Sequence, residues 1–269
     1  MNRRLAYLDA LGVDVWVPRD SVPPARASAL EASSAAPPVA HGPAPEVTSS
    51  SAASPTHAPT NAPTPESTQQ PAIDTSPLDL SGADWSELEQ RVAACRRCAL
   101  CEGRTNTVFG VGDRKARWMI IGEAPGAEED RRGEPFVGRA GQLLDAMLKA
   151  AGFARSDVFI ANVLKCRPPN NRDPSNAEAA ACAPYLARQI QLLQPDLILA
   201  VGRIAAQRLL ESTDPLGKLR GRVHEHAGGV PVVVTYHPAY LLRSPSQKRK
   251  AWEDLLFAHR TAAGRVAGH

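Results

Sequence analysis

Apolar positions fall into two regimes along this chain, divided near residue 80. Residues 21–80 hold 12 of the 24 prolines, set among Ala, Ser and Thr, and aromatic or branched apolar residues are nearly absent. Such a stretch cannot bury enough apolar surface to offset the entropy of ordering it, which predicts a disordered linker. The first 20 residues read differently. Leu5, Leu8 and Leu11 recur at helical spacing, and Val13, Val15 and Val17 alternate as a strand would. A short ordered element over residues 1–20 is therefore expected. On a tether it could dock on its own domain or recruit an unknown protein partner; the same pattern also fits a leader without a role.

After residue 80 the apolar period switches repeatedly. Asp84 and Glu87 make a capping-box pattern around a helix with Trp85, Leu88 and Val92 on one face, which runs up to Cys95 and Cys98. Four short apolar runs have strand length: Arg117–Ile121, Val158–Ala161, Leu197–Val201 and Val232–Thr235. Between them, Leu143, Leu144, Met147, Leu148 and Ala151 form a helical stripe closed by Gly152. Ser175 and Glu178 open a helix that carries Cys182 and runs to about Leu193, and a further helix is expected around Ile204–Leu210. A last helix spans roughly Gln247–Ala262. Apolar strands separated by helices predict a parallel sheet covered on both faces. The expectation is an α/β domain over residues 81–269, a three-layer α/β/α arrangement with a central four-stranded parallel sheet. In such a sheet the carboxyl ends of the strands share one edge, where ligands bind. GEAPG, Asn162 with KCRPPNN, VGR and YHPAYLLR follow the four strands in turn. They should meet at one site.

Charge follows the same division. Residues 1–80 carry 4 Lys/Arg and 8 Asp/Glu, so 27 of the 31 basic and 20 of the 28 acidic residues lie beyond them, an excess of seven positive charges. That favours a polyanionic partner, although a merely soluble basic domain fits charge alone equally well. No segment approaches the roughly 18 apolar residues of a membrane span, and Asp9 and Asp14 interrupt any signal-peptide core. A cytoplasmic protein without a membrane partner is expected.

Candidate chemistry begins with the cysteines. Cys95, Cys98, Cys166 and Cys182 are few and scattered, which suggests a metal centre rather than a disulfide framework. Singly, Cys182 on an amphipathic helix reads better as a buried small hydrophobe; the four together favour ligation. Zinc and an iron–sulfur cluster both suit four thiolates. His224 and His226 sit in RVHEHAGG, a strand-turn-like stretch, where H-x-H could bind metal; they lack a completing ligand and read as structural or solvated. Lys248, Arg249 and Lys250 form either a solvated helix face or a phosphate contact.

Three segments, GEAPGAEEDRRGEPFVGRAGQLL, NVLKCRPPNNRDP and HPAYLLR, taken in order with the four cysteines, resemble the family 4 uracil-DNA glycosylases, the thermostable iron–sulfur type. The likeness runs from about Asp84 to Ala262 and leaves out the Pro-rich stretch, a lineage-specific addition. It implies a uracil-DNA glycosylase-like fold and a monomeric hydrolase acting on uracil-containing DNA, double- or single-stranded. Such an enzyme flips uracil out and cleaves the N-glycosidic bond, leaving an abasic site for base-excision repair. It further implies a [4Fe–4S] cluster on Cys95, Cys98, Cys166 and Cys182, with Cys101 a non-ligand. Gly122, Glu123 and Ala124 would contact the uracil, Phe136 would stack on it, and Asn162 would read its Watson–Crick edge. His237 would donate to O2, and Glu129 would stand against the C5-methyl of thymine. Leu241 or Leu242, with Arg243, would enter the duplex. Ala124 stands where other branches keep a water-activating aspartate, which leaves Glu123 beside it as the candidate general base.

The residue types make chemical sense on their own. Flipping a base costs a few kcal/mol, recovered in a snug pocket. An amide offers a donor and an acceptor together, and a donor at O2 stabilises the departing uracil anion. Out of context, however, Phe136 is more often core and a histidine before proline more often a loop residue. A second class of protein therefore stays open: a noncatalytic iron–sulfur nucleic-acid-binding module, to which the missing aspartate at Ala124 lends weight.

Overall fold

The structure, a computed structural model, describes residue 74 and residues 76–266. Its helices and strands run in the order α1 (Trp85–Ala93), α2 (Leu100–Gly103), β1 (Val111–Gly112), β2 (Trp118–Gly122), α3 (Ala127–Arg132), α4 (Arg139–Ala150), β3 (Phe159–Asn162) and α5 (Asn176–Leu193). There follow β4 (Leu197–Val201), α6 (Arg203–Leu209), α7 (Leu216–Leu219), β5 (Val223–His226), β6 (Val230–Thr235), α8 (Pro238–Arg243) and α9 (Lys248–Val266).

The strands form one six-stranded sheet in the order β1-β3-β2-β4-β6-β5. Its four middle strands are parallel, with Ile120 level with Ile160 on one side and Leu199 on the other, and Leu199 level with Val233. This is the expected parallel centre. Two antiparallel edge strands, β1 against β3 and β5 against β6, widen it beyond the four strands predicted.

Strand alternation sends side chains to two cores. Met119, Ile121, Ile198, Ala200, Val232 and Val234 pack with α1, α5, α6 and α7 on one face. Trp118, Ile120, Leu197, Leu199 and Val233 pack with α4, α8 and α9 on the other. Both faces of the middle strands are thus dry, which is why they read as unbroken apolar runs.

The caps follow the expected chemistry with one difference. Ser175 and Glu178 close both limbs of a capping box at α5, Glu178 N–H to Ser175 Oγ at 3.1 Å and Ser175 N–H to Glu178 Oε2 at 2.9 Å. At α1 the Asp84 carboxylate accepts from the Glu87 N–H at 2.9 Å, while the Glu87 carboxylate turns outward to Arg91. The element expected over residues 1–20, and the linker up to residue 73, lie outside the described residues. The end of that span is different: Leu80 is buried in the first core, Leu78 packs against it, and Arg97 bonds the Asp74 carboxylate at 3.2 Å. Residues 76–80 thus join the domain that was expected to begin at 81, because two leucines there find apolar cover.

Candidate active site

Loops from three strand tips, with Phe136 and Glu129, enclose a cleft of about 450 Å³. From β2 come Glu123, Ala124, Pro125 and Gly126; from β3 come Asn162 and, beyond it, Asn171, Arg172 and Asp173; from β6 come His237, Tyr240 and Arg243. The tip of β4 supports the site from behind, since a Cβ on Gly202 would lie 3.0 Å from the Cβ of His237.

Phe136, Asn162 and His237 are brought together. The Phe136 and His237 rings stack with centroids 5.6 Å apart and planes 29° from parallel. A Cβ on Gly122 would come within 2.7 Å of the Phe136 ring and would collide with Asn162 Oδ1. The bare strand end at Gly122 therefore lets the ring and the amide close on one point. Gly122 itself is buried and its carbonyl accepts from the Val163 N–H at 2.9 Å.

The Phe136 backbone has φ 53°, left-handed space that costs a non-glycine residue about 1–3 kcal/mol. Several groups hold it there. Glu129 Oε1 accepts from the N–H groups of Val137 and Gly138 at 3.1 and 3.2 Å, and Oε2 accepts from Gly126 N–H at 3.1 Å. Arg155 donates to the Pro135 carbonyl, and Gly141 in α4 leaves the room that the Phe136 carbonyl fills. Glu129 lines the cleft, and its carboxylate ties the GEAPG loop to the Phe136 loop.

Two groups in the cleft have proton affinities shifted in opposite directions. Burial above all, then the Arg243 charge, lowers His237 to about 4 against an opposing pull from Glu129. Its Nδ1 accepts from the Ala239 N–H at 3.1 Å, so the neutral ring carries its proton on Nε2. Burial, then the Asp173 carboxylate, raises Glu123 to about 7, opposed by Arg203, which pairs with Asp173 at 2.7 Å. Glu123 is thus a cleft carboxyl that titrates close to neutral pH.

The α8 helix sorts the expected DNA contacts. Leu241 is fully buried among residues of α4 and α9 and has no surface to offer DNA; its side chain anchors the helix. Leu242 is 37% exposed, and Arg243 lines the cleft. Away from the cleft, His224 and His226 bond the carbonyls of Leu219 and Leu209, a structural use. Arg249 pairs along its own helix with Glu253 at 3.0 Å.

A second cavity lies beside the first. It is lined by Cys95, Cys98, Cys166 and Cys182, with Cys101 as a fifth thiol and Arg104 and Lys165 among its walls. Arg104 Nη1 donates to Cys166 Sγ at 3.1 Å and the Lys165 N–H to Cys182 Sγ at 3.3 Å. Burial raises Cys98 and Cys166, and pushes Cys182 up to about 12, so deprotonating these thiols calls for a nearby positive centre. The sulfurs surround a space, and among the described residues no three His, Cys, Asp or Glu are gathered closely enough to hold a single metal ion. Soft thiol donors with N–H groups directed at sulfur suit zinc and an iron–sulfur cluster alike.

Lys165 joins the two cavities. Its fully buried ammonium donates to the Asn162 carbonyl at 2.9 Å and to Gln189 Oε1 at 2.7 Å, while Gln189 Nε2 holds the Phe109 carbonyl at 2.9 Å. Burial lowers this lysine to about 8. Sequence reasoning gave no role to Lys165, Gly141 or Tyr240. A lysine inside the apolar run before Cys166, and a glycine within an amphipathic helix, were the available signals.

Over residues 109–256 the chain matches the family described as the Uracil DNA glycosylase superfamily. It is 46% identical over 179 residues to a type-4 uracil-DNA glycosylase of Pyrobaculum aerophilum, covering 64% of this chain and 91% of that protein. Type-4 uracil-DNA glycosylases of Archaeoglobus fulgidus and Thermotoga maritima are each 44% identical, over 62% of this chain and 87% and 89% of theirs.

Proposed function

The chain belongs to the uracil-DNA glycosylase superfamily, and from that membership we propose that it hydrolyses the N-glycosidic bond of uracil in DNA, leaving an abasic site that starts base-excision repair. The observation that carries this reading is the convergence of Phe136, Asn162, His237 and Glu123 on one cleft at the carboxyl ends of the sheet. No helix among the described residues is long and apolar enough to cross a membrane, and repair of chromosomal DNA fits a cytoplasmic protein.

An extruded uracil stacks on Phe136, whose strained loop is fixed before the base arrives. The Asn162 amide pairs with N3–H and O4. As the N1–C1′ bond breaks, its electron pair moves into the uracil ring, and the Nε2–H of neutral His237 donates to the charge gathering at O2. Water adds to C1′ and gives its proton to the Glu123 carboxylate. Backbone atoms of Gly122 and Ala124 shape the floor. Glu129, beside the base, leaves no place for a 5-methyl group. Leu242 and Arg243 meet the DNA at the rim, Arg243 as a phosphate contact.

We further infer that Cys95, Cys98, Cys166 and Cys182 hold a [4Fe–4S] cluster, with Cys101 adjacent as a non-ligand. The donor set and the cationic wall support this. Bound there, the group would brace α1, the segment after β3 and α5. A broad visible absorption in anaerobically purified protein, lost in Cys166→Ala, is expected; a colourless, zinc-containing protein would overturn the assignment.

The activity itself is tested with duplexes carrying one uracil, followed by alkali. Strand scission at the uracil, with a thymine duplex left whole, is the expected result. An intact uracil strand would instead favour a DNA-binding module without catalysis.

A further inference from the structure

Tyr240 is 38% exposed and lies at the lip of the cleft, although Leu241 beside it is fully buried. An exposed tyrosine on a short helix would ordinarily sample several rotamers. Here its ring stacks on Tyr236 with centroids 5.2 Å apart and planes 21° from parallel. Tyr236 in turn carries the Arg220 guanidinium 4.3 Å from its ring centre. Arg220 is clamped by Asp254, Nε to Oδ2 at 2.7 Å and Nη2 to Oδ1 at 2.9 Å, and bonds the Lys250 carbonyl at 2.9 Å. Asp254 is only 3% exposed. A buried ion pair between Arg220, at the end of α7, and Asp254 on α9 thus anchors a column of flat groups that ends in an open aromatic surface beside the base cleft.

Resting on the glycosylase reading above, we propose that Tyr240 is a stacking platform for a second nucleobase, the one left without a neighbour when uracil leaves the helix. That base loses a stacking partner on extrusion, and a ring already held in place replaces it with little further loss of freedom. Arg243, three residues on along the same helix and also on the cleft, supplies charge for the adjoining phosphate. Leu242 can fill space in the gap, but it has no flat surface to offer a base.

The test uses duplexes with an uncleavable 2′-fluoro-deoxyuridine next to 2-aminopurine, titrated with wild type, Tyr240→Phe and Tyr240→Ala. With wild type and Tyr240→Phe, 2-aminopurine emission should stay quenched on binding. Tyr240→Ala should bind about 10- to 100-fold more weakly, with emission rising as the base is left unstacked. Equal Kd and equal quenching in Tyr240→Ala would overturn the platform while leaving the glycosylase assignment standing. That assignment fails separately, if wild type releases no uracil from an ordinary duplex.

Discussion

His237 and Glu123 line one cleft with their proton affinities displaced in opposite directions, which divides the chemistry between them. His237, held at about 4, is neutral through the whole physiological range and acts as a fixed donor. Glu123, at about 7, is mostly a neutral acid at pH 6 and mostly a carboxylate at pH 8. If its carboxylate takes the proton from water, kcat should climb through pH 7 to a plateau. Glu123→Gln should flatten that climb and lower the plateau by about 10²- to 10⁴-fold. Single-turnover rates on one uracil duplex from pH 5 to 9 decide it, because a limb surviving in Glu123→Gln would assign the titration to another group. Phe136, Asn162 and His237 could be picked out of the chain through the family resemblance of the motifs that carry them, since out of that context Phe136 reads as core and His237 as a loop residue. The motifs disclosed neither the left-handed Phe136 backbone, held in part by Arg155 from outside them, nor the tautomer of His237, fixed by the Ala239 N–H at Nδ1, because residue types alone do not state which hydrogen bonds form.

Helix α5 shows what an element contributes. Its N-terminus is fixed by the Ser175–Glu178 box, and Arg172 adds two charge-assisted bonds to the same carboxylate at 2.8 and 2.6 Å. The Arg172 guanidinium, and behind it the Ser175 cap, hold Glu178 at about 2. Because the folded value lies below the unfolded one of about 4.5, this stabilisation is complete above pH 4.5 and disappears as pH falls towards 2. Glu178→Gln should therefore lower Tm by several degrees at pH 7, corresponding to about 1–2 kcal/mol for a cap and its ion pair, with the gap to wild type closing in acid. Melting curves at pH 7, 4 and 2.5 are the check; a gap that stays constant would mean packing rather than charge. The box at α5 was readable because its two residues are local. The edge strands were readable only in part, since RVHEHAGG has a strand-turn pattern but gave no place in the sheet. β1 is two residues long, and β5 carries His224, Glu225 and His226 with only half of its surface covered, so neither shows the apolar run that marks the buried centre.

Across the whole molecule, the segment Asn162–Cys166 links the base cleft to the thiol cavity. Past the strand ends, Leu164 N–H still bonds the Glu123 carbonyl at 3.0 Å, which ties the GEAPG loop to the segment leading to Cys166. Leu164, Cys166, Leu100 and Ala179 pack together with Cys98, Cys182 and Ala124 against them, placing the residue next to Glu123 on the wall of the cysteine region. Lys165 is the polar part of that link, and burying an ammonium with two neutral acceptors is costly unless it positions something or balances negative charge nearby. Lys165→Met keeps an apolar stem of the same reach as far as Cε and leaves the Asn162 carbonyl and Gln189 Oε1 without their donor, a loss of about 1–3 kcal/mol for each acceptor that stays dry. A positioning role predicts weaker inhibition by free uracil and a kcat/KM for uracil duplexes lower by about 10- to 100-fold, with circular dichroism unchanged. It also predicts an unaltered salt dependence of DNA binding, because a lysine sealed from solvent neutralises no phosphate. Should the salt slope fall while uracil inhibition holds, Lys165 serves the DNA field and not Asn162. Should visible absorption fall first, its charge belongs to the cysteine cavity.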